Sequence, residues 1–376
     1  MAMFTTQPSK AIYTLGALSF ELARLPLFAV KYLSSHGRQH ASWTFRQAIA
    51  VRVLFSALYH LATVQVHTPL PLTPGREKER FVRIKPAASE HYQGPLRSNK
   101  DVVPTEIGAT WYPAPLTATG SDDKRNIKVL LHVHGGAFAI GDGRTASSGY
   151  AMKKLLKHAT ATHALCPQYR LSTLPVSPTS NPFPAALQDT LTTYLYLLHD
   201  LNIAPKDIIL SGDSAGGNLC IALLRYLADH AALPHPSATL LWSPWIDPSD
   251  TSASYVYDNA NFATDYLSPP FTYWGTSAYA GPAGTGVLSS PYISQKDRTF
   301  RTAVPIWVNV GSKEILFRDI VDWAGSMKEA GNAVVLDVEE NVPHDILYMG
   351  NVLGFDDQVE GMARRAGVWL RERGGL

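Results

Sequence analysis

Residues 210–217 read L-S-G-D-S-A-G-G, with Ser214 between glycines two positions before and two after. A serine hydroxyl attacks a carbonyl carbon when a base takes its proton, an acid orients that base, and N–H donors await the oxyanion. The G-x-S-x-G spacing suits a sharp turn that lifts the hydroxyl clear of the backbone. Gly212 and Gly216 then avoid clashes that any Cβ would create. Taken alone the pattern is weak, because a tight turn with a helix-capping serine has the same letters. Its setting strengthens it: a strand-like run, 208–210, precedes it and an apolar helical stretch, 218–227, follows. The N-terminus of that helix would point N–H groups at the serine, where negative charge develops.

The same logic locates candidate partners. The strand-like run 127–133 ends in H-G-G-A-F, 134–138. Consecutive glycines let backbone N–H groups converge on one point, and losing one such donor costs about 3 kcal/mol. His132 and His134 share a strand face and are alternatively a metal pair, but no third ligand follows at suggestive spacing, so no metal is expected. The base is expected after the last strand, 334–338, where V-P-H-D-I places His344 in a loop. The acid is expected between Ser214 and His344, at the end of the strand 306–310. G-S-K-E-I-L follows that strand, which makes Glu314 the first choice and Asp319 the alternative. Asp319 and Asp322 fall inside the next helix, where solvated or helix-end charge is the ordinary reading.

Positioning these groups requires a regular scaffold. Strand-like runs at 127–133, 163–168, 208–210, 239–243, 306–310 and 334–338 alternate with helical stretches at 146–158, 185–198, 218–227, 319–330 and 358–373. That alternation implies a mostly parallel central sheet flanked by helices, an α/β fold. Two stretches lie outside the rhythm. Residues 1–75 hold two helical segments, 11–34 and 43–66, the second capped by Ser42 or Thr44 with Leu54, Leu58 and Leu61 on one face, and end in the linker-like T-P-L-P-L-T-P-G. Residues 248–300 are rich in Ser, Pro, Gly and aromatics, from Tyr255 to Tyr279. A structureless loop of that length is improbable, so an insertion serving as a lid is expected, against an irregular excursion whose aromatics pack inward. The resulting division is 1–75, a core of 76–247 and 301–376, and an insertion at 248–300.

Composition limits the partners. The 376 residues are 45% hydrophobic and 17% charged with a net charge of +2, and no basic block interleaved with aromatics appears, so no nucleic acid is expected. Cys166 and Cys220 sit in apolar segments and are expected to be buried free thiols in a reducing compartment, which favours a cytoplasmic location. Near the N-terminus the apolar run 11–20 is interrupted by Glu21, Arg24, Pro26 and Lys31, about half the length that spans a bilayer. No clear basic leader or small-residue cleavage site accompanies it. The expectation is an amphipathic helix packed on the protein, with peripheral membrane contact in reserve.

H-G-G-A at 134–137, G-D-S-A-G-G at 212–217, and then Glu314 and His344 in that order resemble the hormone-sensitive-lipase-like family of α/β-hydrolases. The resemblance runs from about Phe81 to the C-terminus. S-P-W-I-D, 243–247, is similar to the family's stretch before its cap insertion, and P-H-D, 343–345, to the histidine segment of its fungal-type members. It implies an α/β-hydrolase fold with a helical cap built from residues 1–75 and 248–300. Ser214 would be the nucleophile, His344 the base and Glu314 the acid, with the N–H groups of Gly136, Ala137 and Ala215 as the oxyanion hole and no cofactor. Ala137 stands where the usual signature has a third glycine, and its methyl group is expected to narrow the site. The implied activity is hydrolysis of a hydrophobic small-molecule carboxylic ester through an acyl-enzyme. Acyl transfer or lactone formation in secondary metabolism, using the same triad, and a small-molecule receptor on the same fold are the alternatives.

Overall fold

The computed structural model describes residues 2–116, 127–230 and 233–373. Its centre is an eight-stranded sheet: β1 (Phe81–Ile84), β2 (Ile107–Tyr112), β3 (Val129–Val133), β4 (His163–Gln168), β5 (Ile208–Asp213), β6 (Ala238–Trp242), β7 (Ile306–Gly311) and β8 (Val334–Glu339). The spatial order is β1-β2-β4-β3-β5-β6-β7-β8. The β1–β2 and β2–β4 pairs are antiparallel and all others parallel. Every residue of β3, β5, β6 and β7 is buried. All six parallel-paired strands, β3 to β8, coincide with the strand-like runs of the sequence; the antiparallel edge was not singled out, β1 because it has only four residues and β2 because its I-G-A-T-W-Y is no apolar run although every residue of it is buried.

The helices are α1 (Ser9–Leu33), α2 (Phe45–Thr63), α3 (Thr145–His158), α4 (Ala185–Leu195), α5 (Ser214–Asp229), α6 (Ala253–Tyr257), α7 (Pro269–Ala280), α8 (Phe317–Glu329), α9 (Ile346–Leu353) and α10 (Asp356–Arg373). They flank the sheet, α3 packing on α10 and α4 on α5. The closing helix expected at 358–373 is α10; α9, which the sequence did not single out, precedes it, and the two are parted at Gly354 with φ of 84°.

Above the sheet, α2 packs on α7 of the insertion and on α9, while α1 rests on α2. Thr44, not Ser42, caps α2: it accepts from the Gln47 N–H at 3.2 Å, and Gln47 Oε1 accepts from the Thr44 N–H at 2.7 Å. The proline-rich stretch is pinned rather than loose, because the Arg144 guanidinium donates to the carbonyls of Pro71, Thr73 and Pro74 at 2.8, 2.8 and 3.0 Å.

The first helix matches the helical segment expected at 11–34, but its apolar stretch is longer than the sequence suggested. It continues for 25 residues through Glu21, Arg24 and Pro26 and is long and apolar enough to cross a membrane. It packs on the protein through α2, as expected, but sinks no apolar face into it: among its described side chains only Tyr32 is buried. Glu21 and Arg24 do not break it because they are paired, with each other at 3.4 Å and, through Glu21, with His60 of α2 at 3.4 Å.

Candidate active site

The register of β3 on β5 sets His132 beside Ser211 and Val133 beside Gly212. The turns leaving the two strands, H-G-G-A-F and G-D-S-A-G-G, therefore emerge side by side. At the second turn the chain passes from β5 directly into α5, with Ser214 at a φ of 48°, a left-handed conformation that costs an L-residue energy and recurs at functional turns. Its neighbours must be glycine. A Cβ on Gly212 would lie 2.5 Å from Gly216 O, and one on Gly216 would lie 2.0 Å from Val133 O.

The three polar candidates meet there. Ser214 Oγ lies 3.0 Å from His344 Nε2, and His344 Nδ1 lies 2.9 Å from Glu314 Oε2. All three side chains are buried. Glu314 follows β7, and His344 sits in the loop between β8 and α9. Asp319 does not reach the imidazole. It accepts from Tyr255 Oη at 2.8 Å and pairs with Lys296 at 3.1 Å, tying the insertion to α8.

Burial pushes the His344 imidazolium down, but the hydrogen bond and charge of Glu314, with the charges of Asp265 and Asp213, outweigh it, and the pKa ends above the ordinary value. Burial raises the Glu314 carboxyl, offset in part by His344. A base whose protonated form is stabilised by a buried carboxylate is suited to take the serine proton and hold it until a leaving group needs it.

Beside the serine, Gly136 and Ala137 have φ values of 102° and 53°. Their N–H groups donate to no acceptor among the described residues. A Cβ on Gly135 would lie 3.0 Å from Ser214 Cβ, so this turn abuts the hydroxyl. Ala215 stands in the first turn of α5, where N–H groups lack intrahelical acceptors. The structure thus brings Gly136, Ala137 and Ala215 to the same corner as Ser214. The Ala137 methyl, however, does not narrow the site. It faces α7, where a Cβ on Gly275 would lie 2.7 Å from it, and Ala137 is absent from the wall of the cavity beside Ser214.

That cavity has a volume of about 380 Å³. Its floor includes Gly135, Gly136 and Ser214, and its roof includes Leu54 and Leu58 of α2 with Tyr266, Leu267 and Phe271 of the insertion. Both extra segments contribute to the roof, but through α2 and the stretch from Tyr266 into the first turn of α7, not through α1. The insertion's aromatics divide: Tyr266 and Phe271 line the cavity, Trp274 and Tyr279 are buried, and Tyr257 and Tyr273 are half exposed.

Three carboxylates that the sequence did not single out hold this arrangement. Asp213 accepts from the Gly135 N–H at 2.8 Å and lies 3.0 Å from His132 Nε2, so it joins the two glycine turns. Asp265, in the insertion, accepts from the N–H groups of Ile315 at 2.7 Å and His344 at 3.2 Å, fixing the loops that carry acid and base. Asp345, buried at a φ of 41°, donates its N–H to Ser243 Oγ at 3.1 Å. Burial and the nearby Asp213 charge raise its carboxyl well above the usual range. Asp213 and Asp345 had a signal within reach, their places directly before the serine and directly after the histidine; Asp265 depends on contacts across 50 and 79 residues.

His132 and His134 are engaged singly: His132 Nδ1 lies 2.9 Å from Ser211 Oγ, and the His134 ring stacks on Tyr169 at 4.2 Å between centroids. Among the described residues no three His, Cys, Asp or Glu side chains are grouped as metal ligands.

The model of a family described as the alpha/beta hydrolase fold matches residues 130–348, a span that holds Ser214, Glu314, His344 and the glycine turn at 134–138 but not the roof residues Leu54 and Leu58. An acetyl-hydrolase of Streptomyces hygroscopicus is 30% identical over 224 residues, covering 56% of this chain and 65% of that protein. An esterase of Acinetobacter venetianus is 33% identical over 192 residues, covering 51% of this chain and 58% of that protein. The chain thus spans less than two thirds of the length of these relatives. The crystal structure of an esterase from the bacterial hormone-sensitive lipase family superposes with a TM-score of 0.61 at 23% identity, covering 86% of this chain and 98% of the other, a likeness of fold.

Proposed function

The chain belongs to the α/β hydrolase fold family, and from that premise we propose that it is a serine hydrolase of hydrophobic carboxylic esters. The observation that carries this reading is the unbroken chain Ser214 Oγ–His344 Nε2, 3.0 Å, and His344 Nδ1–Glu314 Oε2, 2.9 Å, opening on a roofed cavity. Esterase and acetyl-hydrolase names among the relatives support it.

In this reading Ser214 Oγ attacks the ester carbonyl while His344 Nε2 takes its proton. The oxyanion is received by the N–H groups of Gly136, Ala137 and Ala215. The C–O bond breaks, His344 gives the proton to the departing alkoxide, and an acyl-Ser214 remains. Water, deprotonated by His344, repeats the attack and releases the acid. The apolar roof binds the hydrocarbon part of the substrate and limits water at the acyl-enzyme.

The test is a series of p-nitrophenyl esters of rising chain length with wild type and Ser214→Ala, together with a fluorophosphonate probe. Hydrolysis lost in Ser214→Ala, with labelling confined to Ser214, is expected. Labelling of another serine, or full activity in the alanine variant, overturns the assignment.

A further inference from the structure

Helix α1 is arranged inside out for a protein surface. Its mid-helix polar groups turn toward α2 and satisfy one another: Glu21 pairs with Arg24 and His60, and Tyr13 Oη lies 2.8 Å from His60 Nδ1. On the side away from α2 it carries apolar side chains, with Ile12, Leu15, Leu27 and Val30 being 70, 68, 70 and 71% exposed. A helix in water normally does the reverse. A second cavity of about 380 Å³, almost wholly apolar, opens between α1 and α2 among Leu18, Leu22, Phe28, Val53, Ala57 and Leu61.

Charge tells what covers this face. Of the chain's 33 Lys/Arg and 31 Asp/Glu, residues 1–76 hold seven and one, which leaves 26 and 30 for the remainder. The one carboxylate, Glu21, is among the inward pairs, while Lys31 and Arg46 are exposed. An apolar face on a net basic segment, joined to a net acidic remainder, is complementary to one surface, an anionic lipid bilayer: hydrocarbon takes the face, headgroups take the basic residues, and the remainder is held off.

We propose that α1 lies in the interface of an anionic membrane and seats the protein there, with α2 between the lipid and the cavity above Ser214. Leu54 and Leu58 of α2 face that cavity, whereas Val53, Ala57 and Leu61 face the α1 groove. An apolar ester leaving the bilayer would therefore meet the roof of the site one helix away. That last step rests on the ester-hydrolase reading; membrane binding does not.

The experiment is flotation of the full chain, purified without detergent, with vesicles of phosphatidylcholine alone and of phosphatidylcholine containing phosphatidylserine. The protein should float with the anionic vesicles, less so at high salt, and the bound fraction should fall at least about tenfold in L15E/L27E, with circular dichroism showing the fold retained. Three results overturn the proposal: no flotation of folded wild type with either vesicle, flotation unchanged in L15E/L27E, or an unbound protein that light scattering shows to be a dimer split by L15E/L27E. The last would make a second copy the cover of α1. Because flotation needs no turnover, its outcome is independent of whether Ser214 is a nucleophile.

Discussion

Gly275 of α7 stands directly against Ala137 of the turn beside Ser214: a Cβ on Gly275 would lie 2.4 Å from Ala137 O and 2.7 Å from Ala137 Cβ. The Ala137 methyl, in the turn proposed to receive the oxyanion, is accommodated by a glycine of α7. Gly275→Ala should push the turn and misdirect the N–H of Ala137. Losing one oxyanion donor lowers kcat by about 10², and KM should change little, since the contact matters in the transition state. Steady-state kinetics on a short p-nitrophenyl ester, with a thermal melt as control for folding, gives the answer. An unchanged kcat in a folded variant would show that Ala137 is not a donor.

The choice of acid is testable by substitution. Glu314→Gln and His344→Ala should each lower kcat by at least about 10³, and the double variant should be little worse than either, because groups that act as a unit lose function together. Asp319→Asn should stay within about twofold of wild type, since Asp319 serves Tyr255 and Lys296 rather than His344. Independent, multiplying losses from Glu314 and His344 would break the link between them.

The elevated His344 pKa makes a prediction about pH. The base must be neutral to act, so kcat/KM should fall as pH drops through a value above the ordinary imidazole range. Burial alone would push that value down; Glu314 is the largest influence pushing it up. In Glu314→Gln, the residual activity should therefore decline at a lower pH than in wild type. A midpoint that stays or rises would mean that Glu314 does not set the imidazole's charge.

Asp345 gives a stability prediction. Its carboxyl is raised by burial and by Asp213, so the folded state holds its proton at a pH where the unfolded chain has released it. A group raised on folding contributes stability below its unfolded pKa, about 3.9, and that contribution is lost as pH rises toward the folded value. Asp345→Asn keeps a donor for Asp213 without the titration. Its stability relative to wild type should therefore improve from pH 4 to pH 7 in urea melts, and a constant difference would refute the raised carboxyl.

Much of this was legible in the chain because it is written locally. G-D-S-A-G-G and H-G-G-A carry their own backbone demands, and the buried strands β3, β5, β6 and β7 each open on a run of apolar residues. Glu314 and His344 were found by their place after strands, since the ends of parallel strands collect on one side of the sheet. Long-range contacts were not legible. Asp265 braces Ile315 and His344 from 50 and 79 residues away. Gly275 makes room for Ala137 in a helix that has no motif. The helix at 11–34 was legible, but the way α1 faces was not, because the pairing of Glu21 with Arg24 and with His60 of α2 shows only in the structure.

Substrate length should be read by α2. Leu58 is nearly buried and, with Leu54 and Phe271, forms the apolar roof over Ser214. An acyl chain of one or two carbons engages the oxyanion turn and little else, so the roof hardly touches it. A longer chain must bury its methylenes against the roof, each worth about 0.8 kcal/mol when fully removed from water. Leu58→Ala takes away part of that surface and leaves space that no side chain fills. It should lower kcat/KM for hexanoyl and octanoyl esters about tenfold, while the acetyl ester loses at most about twofold, because the Ser214–His344–Glu314 chain lies on the floor and on loops that α2 does not carry. Truncating α1 side chains such as Ile12 and Leu15 should leave both values unchanged with water-dissolved esters, since α1 does not line the cavity. An equal loss for short and long esters in Leu58→Ala would mean that α2 supports the catalytic floor rather than the acyl chain, and the cap would then be a brace and not a selector.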